Sequence, residues 1–178
     1  MGGVTDAAAL IERLTAVVPD FPQPGVLFRD LTPTFADAEG FRTITDELVA
    51  RFAGRFDLVA GIEARGFLLA AAAAYASGSG VLAVRKGGKL PPETLAVAYD
   101  LEYGSAVLEV RPDRFPVGAR VLVLDDVLAT GGTVAATCEL LERAGAVVAG
   151  IGVVIELPAL GGRARLAGRE VLALTTAD

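Results

Sequence analysis

The sequence predicts an α/β fold in which a mainly parallel, twisted sheet carries helices on both faces. Four apolar runs, at residues 58–60, 81–84, 120–124 and 147–155, show no alternation of apolar and polar positions. Such runs are typical of strands that are buried on both faces. Segments with helical spacing separate the runs, and this order favours a parallel sheet covered by helices.

The first residues predict a helix and then a stiff loop. Apolar residues at helical spacing indicate an amphipathic helix over residues 7–17, which Pro19 ends. Residues 20–30 follow, and three prolines counted from Pro19 favour an extended, semi-rigid loop over a helix or a central strand.

Three further helices are predicted by apolar spacing. The first of them is marked by apolar positions over residues 41–52, and the second is an alanine-rich segment at residues 67–76. The third covers about residues 134–144 and is stopped by Gly145. Each of them separates two of the apolar runs or precedes one, as an α/β fold requires.

Residues 95–110 differ from the other strand candidates, because apolar and polar positions alternate there. This alternation predicts an antiparallel hairpin or flap inserted in the connections of the sheet. The chain has no internal repeat and no low-complexity linker, and its length suits one buried core. We therefore expect a single domain over residues 1–178.

Composition excludes several functional classes. The formal charge is −6 and no basic run contains interleaved aromatic residues, so we expect no nucleic-acid partner. The longest apolar run, residues 67–76, is too short to span a bilayer, and the N-terminus lacks the features of a signal peptide. With the single Cys138 unable to staple the fold, we expect a cytoplasmic protein without a membrane partner.

The absence of histidine restricts the chemistry. No histidine occurs in the 178 residues, which excludes histidine-based acid and base catalysis and histidine-ligated metal sites. Carboxylates and hard cations such as Mg²⁺ remain possible.

The stretch VLVLDDVLATGGT, residues 121–133, combines two acids with a small, glycine-rich turn. Asp125 and Asp126 follow a buried strand, at the end where ligands collect in open α/β sheets. The turn opens a helix, whose first N–H groups and dipole favour a phosphate. Lysine does not follow the glycines, so the stretch is not a Walker A loop. The alternative is a tight turn with threonine as N-cap, which leaves the paired acids unexplained.

Two further stretches carry charge suited to an anion. GIEARGF, residues 61–67, also follows a strand, and its alternative is a surface glutamate and arginine on a turn. RKGGK, residues 85–89, holds both lysines of the chain beside two glycines, and its alternative is a solvated loop. Residues 61–91 contain four cationic side chains and one carboxylate, so this part is locally positive within an acidic chain.

These stretches resemble the phosphoribosyl diphosphate signature of the type I phosphoribosyltransferase family. PGVLFRD and YDLEYG are more similar to the adenine-specific members than to those that use hypoxanthine, orotate or uracil. The resemblance extends from Pro19 to the IELPALGGRARL stretch that ends at Leu166. It implies the fold of that family, with a hood formed by the N-terminal loop at about residues 19–35 and a flexible loop at about residues 86–103.

The resemblance also implies roles for the sugar-binding residues. Asp125 and Asp126 would hold the ribose 2- and 3-hydroxyls and help organise Mg²⁺, which the sugar diphosphate itself mainly holds. The turn after them would bind the 5-phosphate. Its residues are Ala129, Thr130, Gly131, Gly132 and Thr133.

For the diphosphate, the resemblance implies contacts with Ala64 and Arg65, and with Arg85, Lys86 and Lys89 of the flexible loop. It also places a strained or cis peptide near Glu63 and Ala64. Arg65 and Lys86 are expected to act in catalysis by neutralising the leaving group.

For the base, the resemblance implies that Leu27, Phe28 and Arg29 recognise adenine. Glu102 would lie near the purine N7, with Tyr103 beside it. A histidine-free site needs a carboxylate to accept the purine proton, so Glu102 is the expected catalytic base. Taken alone, Phe28 would be ordinary core and Glu102 a charge at a strand edge.

The implied reaction joins adenine to 5-phospho-α-D-ribose 1-diphosphate and releases AMP and diphosphate, with Mg²⁺, as a step of purine salvage. The family also implies a homodimer in which the Arg85 region of a neighbouring subunit completes the site. Two alternatives remain. One is a xanthine or guanine specificity, and the other is a non-catalytic regulator that senses the sugar diphosphate, which would need a basic surface for nucleic acid.

Overall fold

The computed structural model describes residues 6–100 and 104–177. These described residues form five α-helices and nine strands. The helices are α1 (Ala7–Leu14), α2 (Thr32–Ala36), α3 (Ala38–Arg51), α4 (Gly66–Ser77) and α5 (Gly132–Arg143). The strands are β1 (Ala16–Pro19), β2 (Leu27–Asp30), β3 (Leu58–Ile62), β4 (Gly80–Lys86), β5 (Leu95–Asp100), β6 (Ser105–Val110), β7 (Arg120–Leu128), β8 (Val147–Glu156) and β9 (Val171–Thr176).

The predicted sheet is confirmed. Seven strands form one mixed sheet in the order β5-β6-β4-β3-β7-β8-β9, in which β4, β3, β7, β8 and β9 are parallel. The alternating segment forms the antiparallel pair β5 and β6, which joins the sheet where Arg85 of β4 pairs with Glu109 of β6. One apolar core lies between the sheet and α5, and a second lies between the opposite face and α3 and α4.

The N-terminal prediction was wrong in two places. Helix α1 ends at Leu14, and Val17 and Pro19 belong to β1, which pairs antiparallel with β2 inside the predicted loop. The helix ends because Thr15 adopts an extended conformation, and the β-branched Val17 and Val18 then favour a strand. Pro19 is tolerated because it closes a two-stranded ribbon, where no central ladder needs its N–H.

Two C-terminal strands also differ from expectation. Strand β7 continues to Leu128, so Asp125 and Asp126 lie within the strand and not after it. Their pairing continues along β8, where Asp125 lies opposite Val153 and Leu128 opposite Glu156. Strand β9 forms in the tail after Leu166, where no motif was found, and it pairs parallel with β8.

Among the described residues, no helix combines the length and apolar character needed to cross a membrane.

The position of the candidate site depends on the direction of four neighbouring strands. Strands β4, β3, β7 and β8 are neighbours and run in the same direction, so their carboxyl ends share one edge. The loops that follow these strands therefore meet.

Candidate active site

The turn after β7, residues 129–133, is called the phosphate loop below. Together with Asp125, its residues line a small pocket of about 70 Å³. Gly131 is the N-cap of α5 and has a φ of 77°, a conformation that favours glycine. No side chain of the described residues caps this helix, so the N–H groups of its first turn are available to an anion. The structure thus brings together all five residues predicted for the 5-phosphate.

The two acids at the end of β7 have different surroundings. Asp126 is only 8% exposed, and Arg65 Nε lies 2.7 Å from its Oδ2. Asp125 borders the phosphate pocket, and its Oδ1 accepts a hydrogen bond of 3.0 Å from the Asp126 N–H. Burial, and then the neighbouring charge of Asp126, raise the pKa of Asp125 well above its ordinary value. Hydrogen bonds donated by the hydroxyls of a ligand would stabilise the ionised form of Asp125.

The loop after β3 packs tightly against β7. The peptide between Glu63 and Ala64 is cis, which confirms the expectation for this position. A Cβ on Gly66 would lie 2.8 Å from the Leu124 carbonyl oxygen and 3.2 Å from Asp125 Oδ1. Only a residue without a side chain therefore lets this loop deliver Arg65 to Asp126.

Two cationic side chains and one backbone N–H of the RKGGK stretch lie beside the Glu63 carboxylate. Arg85 Nε donates to Glu63 Oε2 at 2.9 Å, and the Lys86 N–H donates to the same oxygen at 3.0 Å. Lys89 Nζ lies 3.7 Å from Glu63 Oε1. The Lys86 N–H, followed by the Arg85 guanidinium, holds the pKa of Glu63 below its ordinary value. The Glu63 carboxylate thus lies beside the residues predicted to bind diphosphate, where a bound anion would also be stabilised.

A second carboxylate fixes the start of the predicted flexible loop. The buried Glu109 of β6 accepts hydrogen bonds of 2.7 Å from the N–H groups of both Lys89 and Leu90. Burial would raise the pKa of Glu109, but these backbone donors outweigh it and the pKa is lowered. The Lys86 side chain borders a different pocket, of about 480 Å³, beside β6. The structure does not bring Lys86 into the pocket that contains the phosphate loop.

A larger pocket of about 510 Å³ opens beside the phosphate loop. The residues predicted for adenine contribute to it, and Phe28 is its aromatic wall. The Phe28 ring lies edge-on to Phe21 with 5.1 Å between ring centroids, and the Arg65 guanidinium carbon lies 5.5 Å from the Phe28 centroid. The pocket is lined by Val26, Leu27, Phe28, Arg29, Arg65, Val127, Ala129, Thr130, Thr133, Leu157 and Leu160.

Four of these lining residues were not predicted from the sequence: Val26, Val127, Leu157 and Leu160. Leu157 and Leu160 come from the IELPALGGRARL stretch, which carried the resemblance without an assigned role. The sequence signal that could have identified them is the position of that stretch. It directly follows a buried strand and so lies at the sheet edge where ligands collect.

Glu102 and Tyr103, the residues predicted for the purine N7, lie outside the described residues. The strand that leads to them is described as far as its end. Its Tyr99 hydroxyl lies 3.4 Å from Thr133 Oγ1, in hydrogen-bond contact. Strand β5 therefore runs toward the phosphate loop.

The structure thus brings together the start of a helix suited to a phosphate, the carboxylates of Asp125 and Asp126, and an apolar pocket with an aromatic wall. This arrangement suits a phosphorylated sugar joined to a base. Consistent with this, residues 36–170 match the model of the phosphoribosyl transferase domain family. The chain belongs to this family.

Its curated relatives narrow the class. The chain is 64% identical over 170 residues to the adenine phosphoribosyltransferase of Clavibacter sepedonicus, covering 96% of this chain and 88% of that one. It is 61% identical over 164 residues to the adenine phosphoribosyltransferase of Renibacterium salmoninarum, covering 92% and 90%. Within the family, the chain therefore stands among the adenine phosphoribosyltransferases.

Solved structures agree with this placement. The adenine phosphoribosyltransferase of Thermoanaerobacter pseudethanolicus is 44% identical, with a TM-score of 0.90 and coverage of 94% of this chain and 98% of that one. The enzyme from Saccharomyces cerevisiae is 36% identical, with a TM-score of 0.86 and coverage of 93% and 98%. That structure is a complex with an imino-altritol bisphosphate and adenine.

Proposed function

We propose that the protein transfers the phosphoribosyl group of 5-phospho-α-D-ribose 1-diphosphate to N9 of adenine, forming AMP and diphosphate in purine salvage. One observation carries the proposal. Ala129, Thr130 and Thr133 line both the phosphate pocket and the apolar pocket of Phe28. A single ligand with a phosphate at one end and a base at the other would fill the two pockets together.

The sugar phosphate is bound by the end of β7 and by the phosphate loop. Residues 129–133 donate backbone N–H groups and hydroxyls to the 5-phosphate. Asp125 and Asp126 accept hydrogen bonds from the ribose hydroxyls, which a carboxylate does well because it only accepts. Burial and the charge of Asp126 raise the pKa of Asp125, and hydrogen bonds donated by the ribose hydroxyls would favour its ionised form.

The leaving diphosphate is neutralised by Arg65, Arg85, Lys86 and Lys89, together with the N–H groups around Ala64. Glu63 already pairs with Arg85 and Lys89 in the structure, which supports an anion site there. As the bond to diphosphate breaks, the sugar gains cationic character and N9 attacks from the opposite face. Residues 86–103 act as a flexible loop that covers the reacting centre and excludes water, and residues 19–35 form the hood.

The donor chemistry of the site fits Mg²⁺ carried by the sugar diphosphate. Asp125 and Asp126 offer carboxylate oxygens, which Mg²⁺ prefers. Within the described residues, no group of three or more candidate side chains could hold a metal alone. Bound Mg²⁺ would offset the negative charge that develops on the diphosphate. The sugar diphosphate would mainly hold the ion, and Asp125 and Asp126 would help to organise it.

The base is held by Leu27, Phe28 and Arg29 in the apolar pocket. Phe28 offers its ring to the flat purine, and the Arg65 guanidinium beside it links the base to the sugar acids. Glu102 accepts the proton that the purine loses when N9 attacks. The adenine in the yeast complex supports this choice of base.

We also propose a cytoplasmic homodimer in which the Arg85 region of one subunit completes the site of the other. Large apolar side chains on α4 and β4 support a partner surface, since Leu68, Tyr75 and Val81 are more than half exposed. Val81 lies on the strand that leads to Arg85. Light scattering should give twice the mass of one chain, and Tyr75→Asp should shift it toward the monomer.

The function is tested by supplying the purified protein with Mg²⁺, the sugar diphosphate and one base at a time. Chromatography should show AMP from adenine and little nucleotide from hypoxanthine, guanine or xanthine. Products from xanthine or guanine alone would instead establish the other specificity. Absence of any nucleotide, with the sugar diphosphate still bound, would favour a non-catalytic sensor.

A further inference from the structure

A turn outside the predicted site packs against the backbone of the phosphate loop. Residues 157–166, called the buttress segment here, follow β8 and contain Gly162. A Cβ on Gly162 would lie 2.1 Å from the Ala129 carbonyl oxygen and 2.9 Å from the Gly131 nitrogen. Conversely, a Cβ on Gly131 would lie 2.5 Å from the Gly162 carbonyl oxygen. The two backbones are therefore in direct contact, without side chains between them.

Arg163, the residue after Gly162, ties the buttress segment to the sheet. Its Nε donates to Glu156 Oε1 at 2.9 Å and to Oε2 at 3.1 Å, and its Nη2 donates to Oε2 as well. Its Nη1 donates to the Val171 carbonyl oxygen at 3.0 Å. One planar guanidinium thus joins the end of β8, the start of β9 and the turn that carries Gly162.

The position of Glu156 extends this connection to the phosphate loop. Glu156 is 6% exposed, and a buried carboxylate of this kind needs a cationic, hydrogen-bonding partner. It lies opposite Leu128, the last residue of β7 before the phosphate loop. The adjacent Leu157 N–H donates to the Leu128 carbonyl oxygen at 2.9 Å. The pair of Glu156 and Arg163 therefore lies against the entry of the phosphate loop.

We propose that Arg163 is a positioning residue for the phosphate loop. By pairing with Glu156, it holds Gly162 against Gly131 and so fixes the direction of the N–H groups that bind the 5-phosphate. Arg163 lines neither of the two pockets described above for the phosphate loop, so its effect passes through the backbone contact. The proposal deepens the proposed function and rests on it.

Arg163→Gln and Arg163→Lys test the proposal, with Arg165→Gln as the matched control. Arg165 is an exposed arginine in the same buttress segment, two residues further on. The affinity for ribose 5-phosphate is measured by titration calorimetry, and kcat, KM and the thermal midpoint are measured beside it. We expect Arg163→Gln to weaken ribose 5-phosphate binding and raise the KM for the sugar diphosphate by about tenfold or more, because misplaced binding groups lose affinity steeply.

The remaining expectations separate positioning from simple stabilisation. The KM for the sugar diphosphate should rise more than kcat falls, and Arg163→Lys, which keeps the charge but not the fork, should give an intermediate effect. Arg165→Gln should bind ribose 5-phosphate like the unmodified protein. If Arg163→Gln does not fold, the comparison of Arg163→Lys with Arg165→Gln decides.

Unchanged ribose 5-phosphate affinity in a folded Arg163 variant would overturn the proposal, as would an equal loss in Arg165→Gln. Binding of ribose 5-phosphate requires neither adenine nor turnover. Failure of the unmodified protein to make AMP would therefore count against the proposed function, whereas unchanged phosphate binding would count against the role of Arg163.

Discussion

Arg65 Nε lies 2.7 Å from Asp126 Oδ2, and this ion pair joins the loop after β3 to strand β7. The same guanidinium faces the ring of Phe28 at 5.5 Å. One side chain thus contacts the acid proposed for the sugar and the ring proposed for the base. Because Asp126 is buried, it depends on this cation.

Arg65→Gln should lower kcat/KM by about 100-fold, because a cation is removed from the place where negative charge develops. It should also destabilise the fold by about 1–3 kcal/mol, since Asp126 loses its partner at a partly exposed position. Steady-state kinetics and urea unfolding measure both effects. Arg51→Gln, at an exposed pair with Glu170, is the control and should change neither. Activity within about twofold of the unmodified protein would remove Arg65 from the mechanism.

Asp125→Asn should stabilise the ligand-free protein at neutral pH. The folded-state pKa of Asp125 is raised, so the folded protein binds the proton more tightly than the unfolded chain, and its stability falls as pH rises through that range. Removing the charge should raise the thermal midpoint by about 2–4 °C, the shift that about 1 kcal/mol gives in a chain of this length. The sugar diphosphate should bind about 10-fold to 100-fold more weakly, since hydrogen bonds to a charged group are lost.

Asp57→Asn is the control, because the pKa of Asp57 is shifted in the opposite direction from that of Asp125. Arg120 donates to both oxygens of Asp57 and lowers its pKa to about 2. This carboxylate therefore contributes stability above its unfolded-state pKa, which is lost as pH falls toward 2. Asp57→Asn should lower the thermal midpoint at neutral pH and leave sugar diphosphate binding unchanged. Midpoints that move in the same direction in both variants would contradict the assignment.

Phe28→Ala should raise the KM for adenine by about tenfold or more, since stacking of a base on an aromatic ring contributes about 1–3 kcal/mol. The KM for the sugar diphosphate should stay within about twofold, because Phe28 does not line the phosphate pocket. Phe41→Ala provides the comparison, as Phe41 is a half-buried aromatic residue on α3 that packs against Phe35. Equal changes in the KM for adenine would mean that the pocket binds something else.

Gly131→Ala should abolish tight binding of the sugar phosphate. Its φ is positive, and a Cβ would meet the Gly162 carbonyl oxygen at 2.5 Å. Gly118 also has a positive φ, of 82°, but a Cβ there meets no atom of the described residues within 4 Å. Gly118→Ala should therefore cost only the conformational term of about 1 kcal/mol and leave kinetics unchanged. If both variants lose kcat/KM to a similar extent, the loss comes from the strain of an alanine at positive φ and not from the contact with Gly162.

Cys138 should be unreactive in the folded protein. It is fully buried on α5, and burial raises its pKa to about 11, so little thiolate forms near neutral pH. A thiol reagent should modify it quickly in urea and slowly in buffer, with AMP formation unaffected. Rapid loss of activity on modification in buffer would place the thiol in the site.

Apolar periodicity predicted the central strands and the helices between them, because buried parallel strands and amphipathic helices leave a local pattern. Strands β1, β2 and β9 were missed for the opposite reason. They are short or half-buried, so no regular apolar pattern marks them, and pairing with the neighbouring strand holds each in place, β1 with β2 and β9 with β8. The end of β7 was also misjudged, since no local rule indicates that a strand continues through two acids.

The residues of the phosphate loop could be grouped from the sequence because they are consecutive and lie at the start of a helix, where an anion site needs only local backbone N–H groups. The lining of the pocket proposed for the base was only partly predictable. Leu157 and Leu160 reach it through the fold, more than one hundred residues after Phe28 along the chain. The partners of Arg65 and Arg85, Asp126 and Glu63, likewise depend on strand order and not on spacing.

The direct pairing of β3 with β7 fixes the distance between the two loops that follow these strands. The loop proposed for the diphosphate follows one strand and the phosphate loop follows the other, and neighbouring strands lie about 4.8 Å apart. We therefore expect the spacing of the two proposed anion sites to be set by main-chain hydrogen bonds of the sheet, to which the side chains at the two sites then add their charges.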